Sequence, residues 1–448
     1  VELLQTGAES LEKRLKNATT AKVIFVKTFE FWNDLSGTKI LNLLTARAKE
    51  GAKVFVAYDV KGLPPDLRVM PNENPIPPYL MKFLQESGGN GFVIPTSIPY
   101  SIWTDNIFSI PLDHEKYFIT WDGQGSVEVV MGGMNTGDMY LLSGAKNAQG
   151  KPFEVAFYQS EGFSGRKAYP LRDTDIELKG TATQDVVERY IQSCEFQVRN
   201  PNPYFQSHLA EGIRHAIREM RAIQNQMKAR PKDSFPENVG DAFVRLITKS
   251  AQSFGIRSPL NIQVFFEEVL KQIPQDSVVR FATAYFLPTK ILWRSIYRAA
   301  ERGVHFDILL NIADGPEPTI AIISLAARPQ MLHFLKTMPP EQIRFFEWAG
   351  AASSGTSMMH QKVYSFGDTD EDPFCIGSSN LTAASLFWNS EDVLVIQSPS
   401  VKRQLRAMLQ SDFSPPNSQE ILMRTLKQQP RGSILKGVLL NKFFKDFL

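Results

Sequence analysis

Two histidines in this chain of 448 residues stand in the same chemical setting. His114-Glu115-Lys116 is followed by Gly132-Gly133-Met134-Asn135, and His360-Gln361-Lys362 by Gly377-Ser378-Ser379-Asn380. The His-to-Asn spacing is 21 residues in the first case and 20 in the second. Each His-x-Lys leads into a β-branched and aromatic stretch, Tyr117–Trp121 and Val363–Phe366, that reads as a strand. Residues i and i+2 of a strand share a face, so the His and Lys of each motif project to one side. Small residues in the turns that follow, Gly133 and Ser378, let a ligand approach the backbone closely. Asn135 and Asn380 add amide donors. A lone His-x-Lys is ordinarily a solvated edge or a satisfied core histidine. Its repetition with matched downstream turns reverses that preference. Two imidazoles, two ammonium groups, two amides and several N–H donors make a cradle for an anion, with a nucleophile and an acid built in.

A phosphodiester suits such a cradle. Its transition state spreads negative charge over oxygens that Lys116, Lys362, Asn135 and Asn380 would stabilise. One neutral histidine could attack phosphorus and form a phosphohistidine. The other, protonated, could give its proton to the leaving oxygen and then serve as base for the incoming hydroxyl. An unperturbed pKa near 6.5 fits imidazole for both tasks. The chemistry requires no cofactor and no metal, and no metal-ligand pattern stands out. The acidic run Asp368-Thr369-Asp370-Glu371-Asp372 resembles a calcium loop, but Pro373 and Ser379 occupy the positions where that loop needs Gly and Glu. Each catalytic imidazole also needs an acceptor on its second nitrogen. Glu391, ahead of the strand Val393–Gln397, is expected to serve the second half, and Asp173, ahead of Ile176–Leu178, the first. The remaining histidines, His208, His215, His305 and His333, read as structural.

The elements that must position these residues also occur twice. Lys22–Glu30 reads as a buried strand, Thr38–Glu50 as a helix with Ile40, Leu41, Leu44 and Ala48 on one face, and Lys53–Tyr58 as the next strand. Gly51 is placed to end that helix. Ser277–Tyr285, Lys290–Arg302 and His305–Leu310 repeat the order, with Gly303 in the place of Gly51, 252 residues on. The pattern predicts an α/β chain of two similar domains, residues 1–240 and 241–448, each a mixed sheet flanked by helices, related by a pseudo-two-fold axis with one composite active site. Residues 202–256 read as a helical, charged connection. Met139–Pro170 reads as an insertion in the first half, and Gly62–Tyr79 as a proline-rich binding loop or lid.

Composition bounds the alternatives. Lys and Arg number 49 against 47 Asp and Glu, a formal net charge of +2, which disfavours a nucleic-acid coat. Two cysteines, Cys194 and Cys375, exclude a disulfide framework. No apolar stretch reaches the roughly 18 residues of a membrane-spanning helix. The first residue is Val1, which leaves open a leader or anchor ahead of it. Ser433–Leu448 mixes Lys with large apolar residues and reads as a docked terminal helix or a membrane-surface helix. Trp32, Trp103 and Trp348 read as core residues or as an interfacial lip.

The paired His-x-Lys…Gly-Gly/Ser-x-Asn pattern resembles the phospholipase D superfamily, and within it bacterial cardiolipin synthases. Gly132–Tyr140, Tyr169–Gly180, Thr283–Pro288 and Gly377–Glu391 carry the likeness, which runs from about Glu9 to about Ser418. The superfamily usually places Asp seven residues after each His. Here Trp121 and Gly367 stand there, with Asp122 and Asp368 one residue later, where they read as turn residues. The resemblance implies a phosphatidyltransferase that joins two phosphatidylglycerol molecules into cardiolipin and glycerol through a phosphohistidine. It implies peripheral association with a bacterial membrane, and it assigns His114 as nucleophile and His360 as acid then base. The competing readings are a hydrolase of phospholipid or nucleic acid and a non-catalytic lipid or anion binder.

Overall fold

The computed structural model describes residues 1–63, 74–97, 112–125, 127–156, 167–199, 207–229, 240–249, 262–311, 318–350, 356–423 and 426. Most of the proline-rich loop, Trp103 and the segment 433–448 lie outside the described residues. The chain divides into two compact units: Val1–Tyr100, Leu112–Pro170 and Asp175–Asp241 form the first, and Ser101–Pro111, Leu171–Thr174 and Ala242–Leu448 the second.

In the first unit the chain runs β1 (Glu2–Leu4), α1 (Gly7–Thr19), β2 (Val23–Thr28), α2 (Leu35–Lys49), β3 (Lys53–Asp59), α3 (Pro78–Glu86), β4 (Gly91–Thr96), β5 (Tyr117–Trp121), β6 (Val127–Gly132) and α4 (Asp138–Leu141). The short β7 (Val155–Ala156) and β8 (Lys167–Ala168) follow, then β9 (Asp175–Lys179), α5 (Thr183–Arg199) and α6 (Ser207–Lys228). The large sheet has the order β1-β9-β6-β5-β2-β3-β4. β2, β3 and β4 are parallel, and β5, β6, β9 and β1 add antiparallel pairings. Every residue of β2 is buried, as a strand covered on both faces requires. Phe25, Phe55 and Phe92 stack across the parallel strands with centroids 5.1 and 4.7 Å apart. Asp34 caps α2 by accepting from the Gly37 N–H, and Gly51 takes φ +95° just beyond its end, a conformation that costs a side chain more than it costs glycine.

The second unit repeats this plan. It contains β10 (Phe243–Lys249), α7 (Ile262–Gln272), β11 (Val278–Thr283), β12 (Phe286–Leu287), α8 (Lys290–Glu301), β13 (His305–Leu310), α9 (Pro318–Thr337), β14 (Ile343–Trp348), β15 (Lys362–Phe366), β16 (Phe374–Gly377), β17 (Leu381–Thr382), β18 (Glu391–Gln397), α10 (Pro399–Asp412) and β19 (Ser418–Glu420). Its sheet order is β10-β18-β16-β15-β11-β13-β14-β19. From β18 to β14 each strand matches one of the first sheet from β9 to β4, in place and in direction. Even the short pairing of β12 with β17 has a counterpart, the parallel bridge between Phe31 and Thr136. Phe266, Phe281, Tyr364 and Phe366 pack edge to face at the centre of the second core.

Among the described residues of 202–256, the helical reading holds for α6 and fails for Phe243–Lys249. β10 occupies Phe243–Lys249 and pairs along its whole length with β18. Its Val-Arg-Leu-Ile-Thr core is β-branched and alternates in exposure, so strand pairing prevails over the charge pattern. Met139–Pro170 contains most of α4 and the β7–β8 hairpin. Among the described residues no helix is long and apolar enough to cross a membrane.

Candidate active site

In the second unit, His360 precedes β15 and Lys362 is its first residue. The imidazole is buried, 6% exposed. Its Nδ1 lies 2.6 Å from Asp173 Oδ2. A carboxylate only accepts, so Nδ1 carries a proton, and Nε2 faces away from Asp173 with its lone pair in the neutral ring or a second proton in the imidazolium. Lys362 Nζ lies against the ring, 2.8 Å from Nδ1 and 3.1 Å from Nε2, and donates to the His360 carbonyl at 2.6 Å. His and Lys therefore share a face, as their spacing predicts. Imidazole, ammonium and carboxylate are together within this one unit.

Asp173 reaches His360 because Leu171–Thr174 belongs to the second unit, although the chain on either side belongs to the first. Arg172 N–H donates to the Met358 carbonyl and His360 N–H to the Arg172 carbonyl, each at 2.7 Å. This corrects the expected pairing of acceptors. Asp173 serves the histidine of the second half, where Glu391 was expected. Buried Glu391 accepts from Ser378 Oγ at 2.6 Å and from Asn389 Nδ2 at 3.2 Å. The register accounts for the equivalence of the two acids: Gly132 faces Asp175 and Gly377 faces Val393, so Asp173 and Glu391 each lie two residues before the partner of a turn glycine. Spacing reveals this equivalence and cannot reveal which unit a strap joins.

The turn after β16 brings Asn380 in, 3% exposed, and its side-chain oxygen has no hydrogen-bond partner among the described residues. Buried polar atoms are ordinarily paired, and an orphan amide in such a turn suits a ligand oxygen once O and N are assigned by need. The Ser378 hydroxyl donates to Glu391 and accepts from Asp392 N–H at 3.0 Å, so its side chain braces the turn. Asn311, just after β13, accepts Met359 N–H at 2.9 Å and donates to the Met359 carbonyl at 2.7 Å, fixing the residue before His360.

The first unit holds His114 by the same scheme with different residues. Its ring, 8% exposed, packs on Phe29 with centroids 5.3 Å apart. Lys116 Nζ donates to the His114 carbonyl at 2.7 Å, as Lys362 does to His360. Asp59, the last residue of β3, accepts Asp113 N–H at 2.7 Å and so occupies the place of Asn311. Burial pushes the Asp59 carboxyl up to about 6. Asp113 and Glu115, on either side of His114, both pair with buried Lys27, and Glu115 also pairs with Arg189 of α5. Burial opposes the charge on Lys27, but these two carboxylates outweigh it and raise its affinity for a proton above the usual lysine range.

Asn135 is buried and oriented. Its Oδ1 accepts from Thr28 Oγ1 and from Glu30 N–H, and its Nδ2 donates to Glu30, each at 3.3 Å. Tyr140 O–H also donates to that Glu30 carboxylate, at 2.8 Å. Gly133 is buried in the turn that delivers Asn135. Asp122 caps its own turn through Gln124 N–H, and Asp368 pairs with Arg280, so both act as turn and surface residues. In the acidic run, Asp370 is held by Arg403 and Arg406. Sequence reading missed Asp59, Asn311, Lys27 and Arg189. Only the first two carried a signal: they stand 252 residues apart, the spacing of Gly51 and Gly303.

Comparison with known proteins agrees with this arrangement. Residues 269–413 match the family described as "Cardiolipin synthase, PLD-like domain". Cardiolipin synthase A of Pseudomonas aeruginosa (strain LESB58) is 23% identical over 419 residues, 92% of this chain and 67% of that protein. An uncharacterized protein of Helicobacter pylori (strain ATCC 700392 / 26695) is 23% identical over 440 residues, 91% of this chain and 78% of that protein. The chain thus spans about two thirds of the cardiolipin synthases it matches. Among solved structures, phosphatidylserine synthase of Haemophilus influenzae Rd KW20 shares the fold, with a TM-score of 0.64 at 15% identity over 100% of this chain and 95% of that one. With its doubled sheet and twin His-x-Lys motifs, the chain resembles enzymes of the phospholipase D superfamily, and residues 269–413 carry the match to the cardiolipin synthase, PLD-like domain.

Proposed function

We propose that the protein transfers phosphatidyl groups, joining two phosphatidylglycerol molecules into cardiolipin with release of glycerol. The observation that carries this reading is the His360 ring, oriented through Nδ1 by Asp173 and flanked on both nitrogens by the Lys362 ammonium. That geometry suits proton delivery to a leaving alkoxide and proton removal from an acceptor alcohol, and an alcohol acceptor distinguishes transfer from hydrolysis. His114 is the proposed nucleophile. Its attack forms a bond from nitrogen to phosphorus while the bond from phosphorus to the glycerol oxygen breaks and that oxygen takes the proton from His360. The second phosphatidylglycerol then gives its hydroxyl proton to His360, and its oxygen displaces His114. Lys116, Lys362, Asn135 and Asn380 stabilise the charge on the non-bridging oxygens. The backbone of Gly133 and Ser378 lines the same phosphate. Glu391 braces the Ser378 turn that carries Asn380. The protein would work on two halves in the arrangement 1–240 and 241–448, docked peripherally on a bacterial membrane.

Purified protein with phosphatidylglycerol vesicles tests the reading. Cardiolipin and glycerol in equal amounts, with turnover reduced on the order of 10³-fold or more in His114→Ala and His360→Ala, is the expected result. Phosphatidic acid as the main product would make the enzyme a hydrolase. Retained turnover in either histidine variant would remove that histidine from the mechanism.

A further inference from the structure

Asp412 is the last residue of α10 and only 3% exposed. Nothing in its own helix favours a carboxylate there. A helix C-terminus carries partial negative charge, and the last turn of α10 holds no basic residue. Its partners come from elsewhere. Arg172 donates from Nε to Oδ1 at 3.1 Å and from Nη2 to Oδ2 at 3.0 Å, a two-point grip that fixes both side chains. Gln361 Nε2 donates to the same Oδ2 at 3.1 Å.

Both partners adjoin the chemistry. Arg172 precedes Asp173, which holds His360 Nδ1, and Gln361 is the residue between His360 and Lys362. Gln361 also donates to Thr174 Oγ1 at 2.9 Å, on the far side of Asp173. One carboxylate therefore ties the segment that brings the orienting acid to the segment that brings the imidazole. A local rule broken at a helix end, with all compensation supplied by residues beside the site, marks a position kept for the site.

We propose that Asp412 is a positioning residue for His360: by gripping Arg172 and Gln361 together it fixes Asp173 against the imidazole and holds the ring in one tautomer. The proposal rests on His360 taking part in the reaction. Asp412→Asn removes the charge and half of the Arg172 grip while preserving size. In the full chain it should lower kcat on phosphatidylglycerol vesicles by about 10²-fold with KM within about twofold, the cost of a misplaced catalytic group. ¹⁵N-histidine NMR, with the His360 signal identified by its loss in His360→Ala, should show the Nδ1 proton exchanging rapidly instead of being protected. Arg172→Gln, which opens the grip from the other side, should do the same and serves if Asp412→Asn does not fold. Arg403→Ala, on the outer face of α10, should leave both readouts as in the wild type. A wild-type kcat with a protected Nδ1 proton in Asp412→Asn or Arg172→Gln would overturn the proposal. If no variant, nor the wild type, turns over phosphatidylglycerol, the phosphatidyltransferase reading fails, and the NMR readout still decides the role of Asp412.

Discussion

At the scale of single residues, the residue before each histidine is held by a polar group, Asp59 at the end of β3 in one unit and Asn311 just after β13 in the other. The difference between them has a measurable consequence. In the folded protein Asp59 keeps its proton up to about pH 6, whereas in the unfolded chain it releases it near 3.8. Between these values the native state binds more protons, so stability falls as pH rises through the window and levels off above it. The contribution is up to about 3 kcal/mol at 1.36 kcal/mol per unit. Asp34, raised to about 6 by burial and then by neighbouring Asp138, acts in the same direction. Urea unfolding at pH steps from 4 to 7 should show this fall, and Asp59→Asn should flatten it to the share left by Asp34. An unchanged slope in the variant would show that Asp59 is ionised throughout. The histidines, lysines and asparagines stood out because a repeated pattern singles them out, whereas the two acids follow their histidines at unequal spacings. Asp412 did not, because an isolated polar residue at the end of an element looks the same whether it faces solvent or packs inside, and Asp59 and Asn311 carried only the bare 252-residue spacing. The pairing of Asp173 with His360 was hidden for a related reason: the side chain's type was visible, and the unit its segment joins was not.

Among the elements, the glycine turns set the tolerances. A Cβ on Gly377 would lie 2.1 Å from the Asp392 carbonyl oxygen and 2.8 Å from Val393 Cα, both main-chain atoms of the neighbouring β18. Gly377→Ala must therefore push β16 from β18 at the point where Ser378 and Asn380 leave the sheet. It should cost about 1–3 kcal/mol in urea unfolding, the usual range for forced overpacking, and reduce turnover as well. Wild-type stability would mean that the two strands separate more easily than their pairing suggests. The strands and helices around both motifs were readable from short apolar runs, helical spacing and the glycines at 51 and 303, which take φ of +95° and +93°. β10 was misread because its flanks are charged and its neighbour α6 is helical. Its pairing with β18 comes from sequence more than 140 residues away, which no local window contains.

For the whole molecule, duplication is the organising fact. The two sheets agree strand for strand from β9 to β4 and from β18 to β14, and each delivers His, Lys and Asn at equivalent positions. A doubled scaffold supplies two similar imidazoles, and different surroundings then allow different tasks. His360 has an orienting carboxylate in its own unit, and His114 sits on an aromatic ring amid a buried charge cluster. The fold class and the resemblance to cardiolipin synthases were legible because the repeat and the paired motif span most of the chain. The acceptor alcohol was not, since no residue pattern in either turn names it. The central claim is a covalent intermediate on His114 with His360 moving the proton. A phosphatidyl ester of p-nitrophenol tests it directly, because that leaving group departs without an acid. His360→Ala should then release about one equivalent of p-nitrophenol per active site and stall, with the phosphatidyl group on His114 by peptide mapping. No burst, or an adduct on any other residue, would contradict it.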